Sequence, residues 1–109
     1  MKSLVWLGTL LKDVRSFSAE LRREIGYQLY KIQEGLEPSD WKAMPSIGAG
    51  VREIRIHTKN EYRVIYVAKF EEAVCVLHAF VKKTRSTARH DLEMITERLH
   101  GLMRKRSQP

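Results

Sequence analysis

The amino-acid sequence predicts an α+β fold, an antiparallel sheet with helices at both ends of the chain in the order β-α-α-β-β-β-α. Three observations predict it. Apolar residues recur at helical spacing before position 34 and after position 91; they alternate or run unbroken between 51 and 81; and short polar turns separate the strand-like runs. The 109 residues suit one domain spanning 1–109. With 43% hydrophobic and 30% charged residues, the chain holds enough apolar material for a core. A domain of this size buries roughly 65% of its unfolded surface, so it can fold alone.

Leu4, Val5, Trp6 and Leu7 form an apolar run closed by Gly8 and read as the first strand. Thr9 is placed to cap a short helix carrying Leu10, Leu11, Val14 and Phe17. Ser18 is placed to cap a second, with Leu21, Ile25, Leu29 and Ile32 on one stripe. Gly35 stands where a left-handed residue would stop that helix. Residues 37–50, with two prolines and two glycines, read as an irregular connector in which Trp41 anchors on the core edge. Val51–His57 alternates, with Ile54 and Ile56 on one face and Glu53, Arg55 and His57 on the other. Residues 62–69 and Ala73–Val81 supply two more strands, after turns at 58–61 and 70–72. Such short turns make antiparallel neighbours the economical arrangement. Both of these strands are apolar on both faces, which calls for cover on both sides of the sheet. Thr87 is placed to cap a final helix with Leu92, Ile95, Leu99 and Leu102 on one stripe. Asp91 and Glu93 fall early in it and Arg104, Lys105 and Arg106 late, as the helix dipole favours.

The net charge of +7 is unevenly spread. Lys and Arg exceed Asp and Glu by one in 1–50, by one in 51–81 and by five in 82–109. A basic patch attracts polyanions through counterion release and steering; a solvated charged tail is the plain alternative. No run approaches the length of about 20 apolar residues that spans a bilayer, and the first residues lack the pattern of a signal peptide. Cys75, the single cysteine, reads as a small buried hydrophobe in a strand. A cytoplasmic location is expected. The chain carries no metal motif, phosphate loop or Ser-His-Asp signature, so neither a metal nor a small-molecule cofactor is expected.

Cations placed within and at the ends of strands stand out. Arg63 lies between apolar strand residues and must either pair with Glu53 or Glu61 or face a groove as a phosphate-binding arginine. Arg52 and Arg55 could join it from the preceding strand, though they point to opposite faces. His57 reads as an exposed strand end. His78, among Val74, Val76 and Phe80, reads equally as a satisfied core histidine or a proton carrier. Lys82-Lys83-Thr84-Arg85 follows the last strand directly and leads into a helix N-terminus, where free backbone N–H groups also favour an anion. Three cations in four residues beside Arg63 would make a phosphate-shaped hollow.

Several pieces of the sequence occur in a telling order: Trp6-Leu7-Gly8, Glu37-Pro38-Ser39-Asp40-Trp41-Lys42, Val51-Arg52-Glu53-Ile54-Arg55-Ile56, Tyr62-Arg63-Val64-Ile65-Tyr66, and Leu77-His78-Ala79-Phe80 leading to Lys82-Lys83-Thr84. Over nearly its whole length the chain resembles the RelE/ParE toxin superfamily, in its phage-derived HigB-like branch. The resemblance implies a RelE-like fold, with two N-terminal helices on one face of an antiparallel sheet, a C-terminal helix, and a concave basic face. It implies a type II toxin that cleaves mRNA on the ribosome without a metal, neutralised by a cognate antitoxin of the helix-turn-helix type. The family's strand arginine maps onto Arg63, and its basic residues after the last strand onto Lys82 and Lys83. These three are the expected catalytic cations, with Arg52, Arg55, His57 and Arg85 as RNA-binding neighbours. Glu53 and His57 are candidate bases. Where some relatives carry a Tyr or His near the C-terminus, this chain offers His90 and His100, both inside the final helix. A ParE-like gyrase poison and a plain nucleic-acid-binding module are the alternative readings.

Overall fold

The computed structural model describes residues 1–108. The elements are β1 (Ser3–Trp6), α1 (Leu10–Arg15), α2 (Ala19–Gln33), β2 (Trp41–Ala43), β3 (Val51–His57), β4 (Glu61–Val67), β5 (Ala73–Val81) and α3 (Arg89–Ser107). They form one five-stranded sheet in the order β1-β5-β4-β3-β2. The sheet departs from the sequence expectation, and β4 runs Glu61–Val67 where the sequence predicts 62–69. The sheet is mixed, because β1 pairs parallel with β5 while the other pairs are antiparallel. The chain between β1 and β5 holds both helices and three strands, ample length for a parallel crossover. The connector also contains a short edge strand, β2, whose Trp41 pairs in register with Ile54.

The sheet is covered on both sides, as its two-sided apolar strands require. One layer joins Leu10, Leu21, Ile25 and Leu29 of α1 and α2 to Ile54, Val64, Tyr66 and Val76. The other joins Ile95, Leu99 and Leu102 of α3 to Val51, Ile65, Val67, Cys75 and Leu77. The final helix therefore uses three of its four expected core positions, and Leu92 stays exposed.

Helix ends follow local chemistry. Ser18 caps α2 by accepting the Leu21 N–H at 3.2 Å. Gly35, at φ +83°, ends α2: its N–H donates to Ile32 and that of Leu36 to Lys31, which satisfies two terminal carbonyls. Thr9 and Thr87 do not cap as expected. Thr9 precedes α1 without a side-chain capping bond, and α3 starts after Ala88, one residue beyond Thr87.

Connector residues 37–40 are held to α2 by Gln28, a buried polar side chain. Its Oε1 accepts the Ser39 N–H at 2.8 Å and its Nε2 reaches Ser39 Oγ at 3.0 Å. That anchor places Asp40 beside the far end of β3, where its carbonyl accepts the Arg55 N–H at 2.8 Å.

Candidate functional site

Arg55 and Arg63 stand directly opposite each other on the antiparallel β3–β4 pair. Two guanidiniums so placed repel unless a carboxylate lies between them. Glu53 supplies it: Oε1 accepts from Arg55 Nε at 3.2 Å and lies 3.1 Å from Arg63 Nε. The Arg63 contact is an ion pair without hydrogen-bond alignment, since that Nε has no hydrogen-bond partner among the described residues. Arg63 Nη1 also donates to Glu61 at 3.2 Å and to the carbonyl of Tyr62 at 3.0 Å. Arg63 is 8% exposed and Glu53 only 2%. The salt bridge that the sequence allowed for Arg63 is thus present, with both candidate carboxylates.

His57 continues the same array. Its Nε2 lies 2.6 Å from Asp40 Oδ2 and its Nδ1 2.8 Å from Glu61 Oε1. Hydrogen bonds to Asp40 and then Glu61 raise its pKa above the ordinary histidine value, while His57 and then Arg63 hold the Glu61 carboxyl below the usual range. Both ring nitrogens of His57 are taken up by carboxylates, so neither is free for a substrate proton. Glu53, buried between two arginines, is committed as well. Arg55, Arg63 and His57 thus face Glu53, Glu61 and Asp40, and each of the three basic groups has a carboxylate beside it.

The second group of cations lies beyond the end of β5. Lys82 is half-buried and Lys83 exposed, and neither makes an ion pair among the described residues. The Lys82 N–H donates to the Glu61 carbonyl at 2.7 Å, which ties this corner to β4. Both lysines line two adjoining depressions. One, of about 740 Å³, opens toward Phe17, Glu61 and Tyr62. The other, of about 390 Å³, is walled by Phe80, Thr84, Ser86, Ala88 and Asp91, at the first turn of α3. Arg63 lines neither. The structure brings Lys82 and Lys83 together and places Arg63 on the neighbouring strand, tethered to carboxylates.

Arg85 sits exposed in the bend between β5 and α3. Arg52 is on the opposite sheet face from Arg55, as alternation requires. Its guanidinium lies 4.2 Å over the Trp41 ring and pairs with Glu37 at 2.9 Å. His90 and His100 are exposed on α3, and His100 lines a depression on that helix's outer surface. Cys75 is buried, which pushes its thiol pKa up.

Alternation alone groups His78 with Val74 and Val76. The β4–β5 register slips between Ile65 and Tyr66, so Ile65 faces His78 while Tyr66 faces Val76. The extra residue, Leu77, bulges, and His78 turns to the face covered by α3. There its Nε2 lies 2.7 Å from Asp91 Oδ1 and its Nδ1 3.3 Å from Arg98 Nη1. Arg98 Nη1 also donates to the Leu77 carbonyl at 2.9 Å. Gly8 makes room for it, since a Cβ there would lie 3.1 Å from Arg98 Nε. Burial, the largest influence, lowers the His78 pKa against the pull of Asp91. The imidazole is therefore neutral near pH 7, with Nε2–H donating to Asp91 and Nδ1 accepting from Arg98. Sequence reasoning missed Asp91 and Arg98, because only the bulge gives them their common partner.

Among the described residues, no helix is long and apolar enough to cross a membrane. No curated protein matches the chain in a sequence comparison. A family model described as phage derived protein Gp49-like matches residues 12–100, which run from α1 into α3 and take in both groups of cations and the Asp91–His78–Arg98 array. With most of its length matched, the chain belongs to the phage-derived Gp49-like family, a member of the RelE/HigB-like toxin superfamily.

Proposed function

We propose that the chain is the toxin of a type II toxin–antitoxin pair and a metal-independent endoribonuclease that cuts mRNA on the ribosome. One observation carries the reading: two lysines that make no ion pair among the described residues line a hollow of about 390 Å³ together with two hydroxyl-bearing residues. RNA supplies its own nucleophile, the 2′-OH, which DNA lacks. The protein must align that oxygen with phosphorus and the leaving 5′-oxygen, and offset the charge that builds on the phosphate. Lys82 and Lys83 do the second task, with Arg85 at the rim steering the polyanion. Arg63, already neutralised by Glu53 and Glu61, serves as a brace for the strand end that carries them. Arg55 and His57 belong to the same brace, and Arg52, on the other face, lies outside the cleavage hollow. The ribosome supplies further alignment, and the work is cytoplasmic. The partner is a cognate helix-turn-helix antitoxin encoded beside the toxin.

Inducing expression and mapping the 5′ ends of broken messages tests this. Wild type is expected to arrest growth and cut messages. Lys82→Ala/Lys83→Ala is expected to lose on the order of 10²–10³-fold in cleavage rate, the usual loss for a donor to a developing anion. Growth arrest with intact messages and blocked gyrase supercoiling would replace this reading with gyrase poisoning. Salt-dependent RNA binding without growth arrest would reduce the protein to a binding module.

A further inference from the structure

Resting on the endoribonuclease reading, we infer that Asp91 is the catalytic base of this site, taking the proton from the attacking 2′-OH, and that His78 is its positioning residue. Asp91 shares the walls of the 390 Å³ hollow with Lys82, Lys83, Thr84 and Ser86. Its side chain is 18% exposed, enough to meet a bound ribose. One carboxylate oxygen is occupied, since Oδ1 accepts from His78 Nε2 at 2.7 Å. The other, Oδ2, makes no hydrogen bond among the described residues, and in the proposed step it takes the hydroxyl proton. The remaining base candidates are engaged elsewhere. His57 is bonded through both ring nitrogens, and Glu53 is 2% exposed between two arginines.

The carboxylate is held from behind by a fixed array. Arg98 donates to His78 Nδ1, which leaves the His78 proton on Nε2, aimed at Asp91. The bulge at Leu77 turns His78 to that face and leaves the carbonyl that Arg98 also takes. A base held by a second residue whose own tautomer is fixed by a third keeps its orientation through the reaction. In the step, the 2′-oxygen loses its proton to Asp91 Oδ2 and bonds to phosphorus. The P–O5′ bond breaks, and the leaving oxygen takes a proton from a lysine ammonium in the hollow. The products are a 2′,3′-cyclic phosphate and a 5′-hydroxyl. Asp91 is later deprotonated and the lysine reprotonated by water.

Asp91→Asn separates this role from a merely structural tether. Its amide oxygen can still accept from His78 Nε2, so the link between β5 and α3 survives, but an amide cannot take the proton. Cleavage of a reporter message is measured in a translation extract, with thermal unfolding and ribosome binding alongside. Asp91→Asn is expected to cut at least about 100-fold more slowly, within the range for loss of a general base, with ribosome binding retained. His78→Gln, which keeps an N–H donor, is expected to recover rate over His78→Ala, the difference lying in maximal rate and not in half-saturating ribosome concentration. Cutting by Asp91→Asn within about fivefold of wild type overturns the assignment and leaves the endoribonuclease reading intact. If Asp91→Asn fails to fold, Asp91→Glu decides: a carboxylate that folds and cuts supports the base, and one that folds and stays silent while His78→Gln and His78→Ala cut alike overturns it. Absence of cutting by wild type overturns the wider reading and this one with it.

Discussion

Replacing Glu53 with alanine removes the carboxylate wedged between two facing guanidiniums. Glu53 is 2% exposed and Arg63 8%, so the Arg63 charge is left in a largely dry place. Removing one partner of a buried pair costs about 3–5 kcal/mol. Two features argue for the lower end. Arg63 Nη1 keeps Glu61 at 3.2 Å and the Tyr62 carbonyl at 3.0 Å, and the Arg55 side chain is one-third exposed and can turn toward water. A loss of about 3 kcal/mol corresponds to a fall in Tm of about 13 °C for a chain of this length. Thermal and urea unfolding followed by circular dichroism measure it. Glu53→Ala/Arg63→Met removes the stranded charge too, so it is expected to be at least about 1 kcal/mol more stable than the sum of the single effects. A Glu53→Ala loss below about 1 kcal/mol, or strictly additive single effects, would show that Glu53 does not hold Arg63 and would return that arginine to the phosphate.

Two further perturbations test the electrostatics and the backbone. Asp40 and then Glu61 raise the His57 pKa above its unfolded value, so the stabilisation from these pairs is fully present below about pH 6.5 and is lost as pH rises through the folded value. His78, depressed chiefly by burial, runs the other way, and its contribution is lost as pH falls below about 6.5. The difference in stability between wild type and His57→Gln isolates the first effect; a difference that does not shrink on the alkaline side refutes the pairing. Gly35→Ala and Gly26→Ala are expected to have opposite signs by urea unfolding. At Gly35 nothing crowds a Cβ, but φ is +83°, so alanine costs about 1–2 kcal/mol. Gly26 is helical with open space around it, so alanine gains about 0.5–1 kcal/mol.

The readable parts of the fold were those set by local chemistry. Ser18 and Gly35 bound α2 because a hydroxyl cap and a left-handed stop act within a few residues. β3 and β5 were legible to the residue, the first from its alternation and the second from its nearly unbroken apolar run. What escaped depends on partners distant in sequence. β2 exists because β3 offers it an edge and Gln28 pins Ser39, an interaction across eleven positions. The parallel pairing of β1 depends on β5, about seventy residues away. Thr9 and Thr87 show that a capping residue in the right neighbourhood need not be the cap when tertiary packing sets the first turn.

The same division explains why the basic site was legible only in part. The sequence shows where cations are, but not which of them still carry uncompensated charge. Arg63 attracts notice because it interrupts an apolar strand, yet burial is what obliges it to be paired. Lys82 and Lys83, which look like an ordinary solvated run, make no ion pair among the described residues. A polyanion is drawn to net charge, which is why the proposed phosphate site rests on the two lysines and not on the paired arginine. The proposed base, Asp91, is hidden for a related reason. Strand alternation puts His78 with Val74 and Val76, and a one-residue slip in register reverses a side chain's face. The bulge at Leu77 is that slip, and by turning His78 toward α3 it sets a carboxylate beside the two lysines with nothing in the local sequence to announce it.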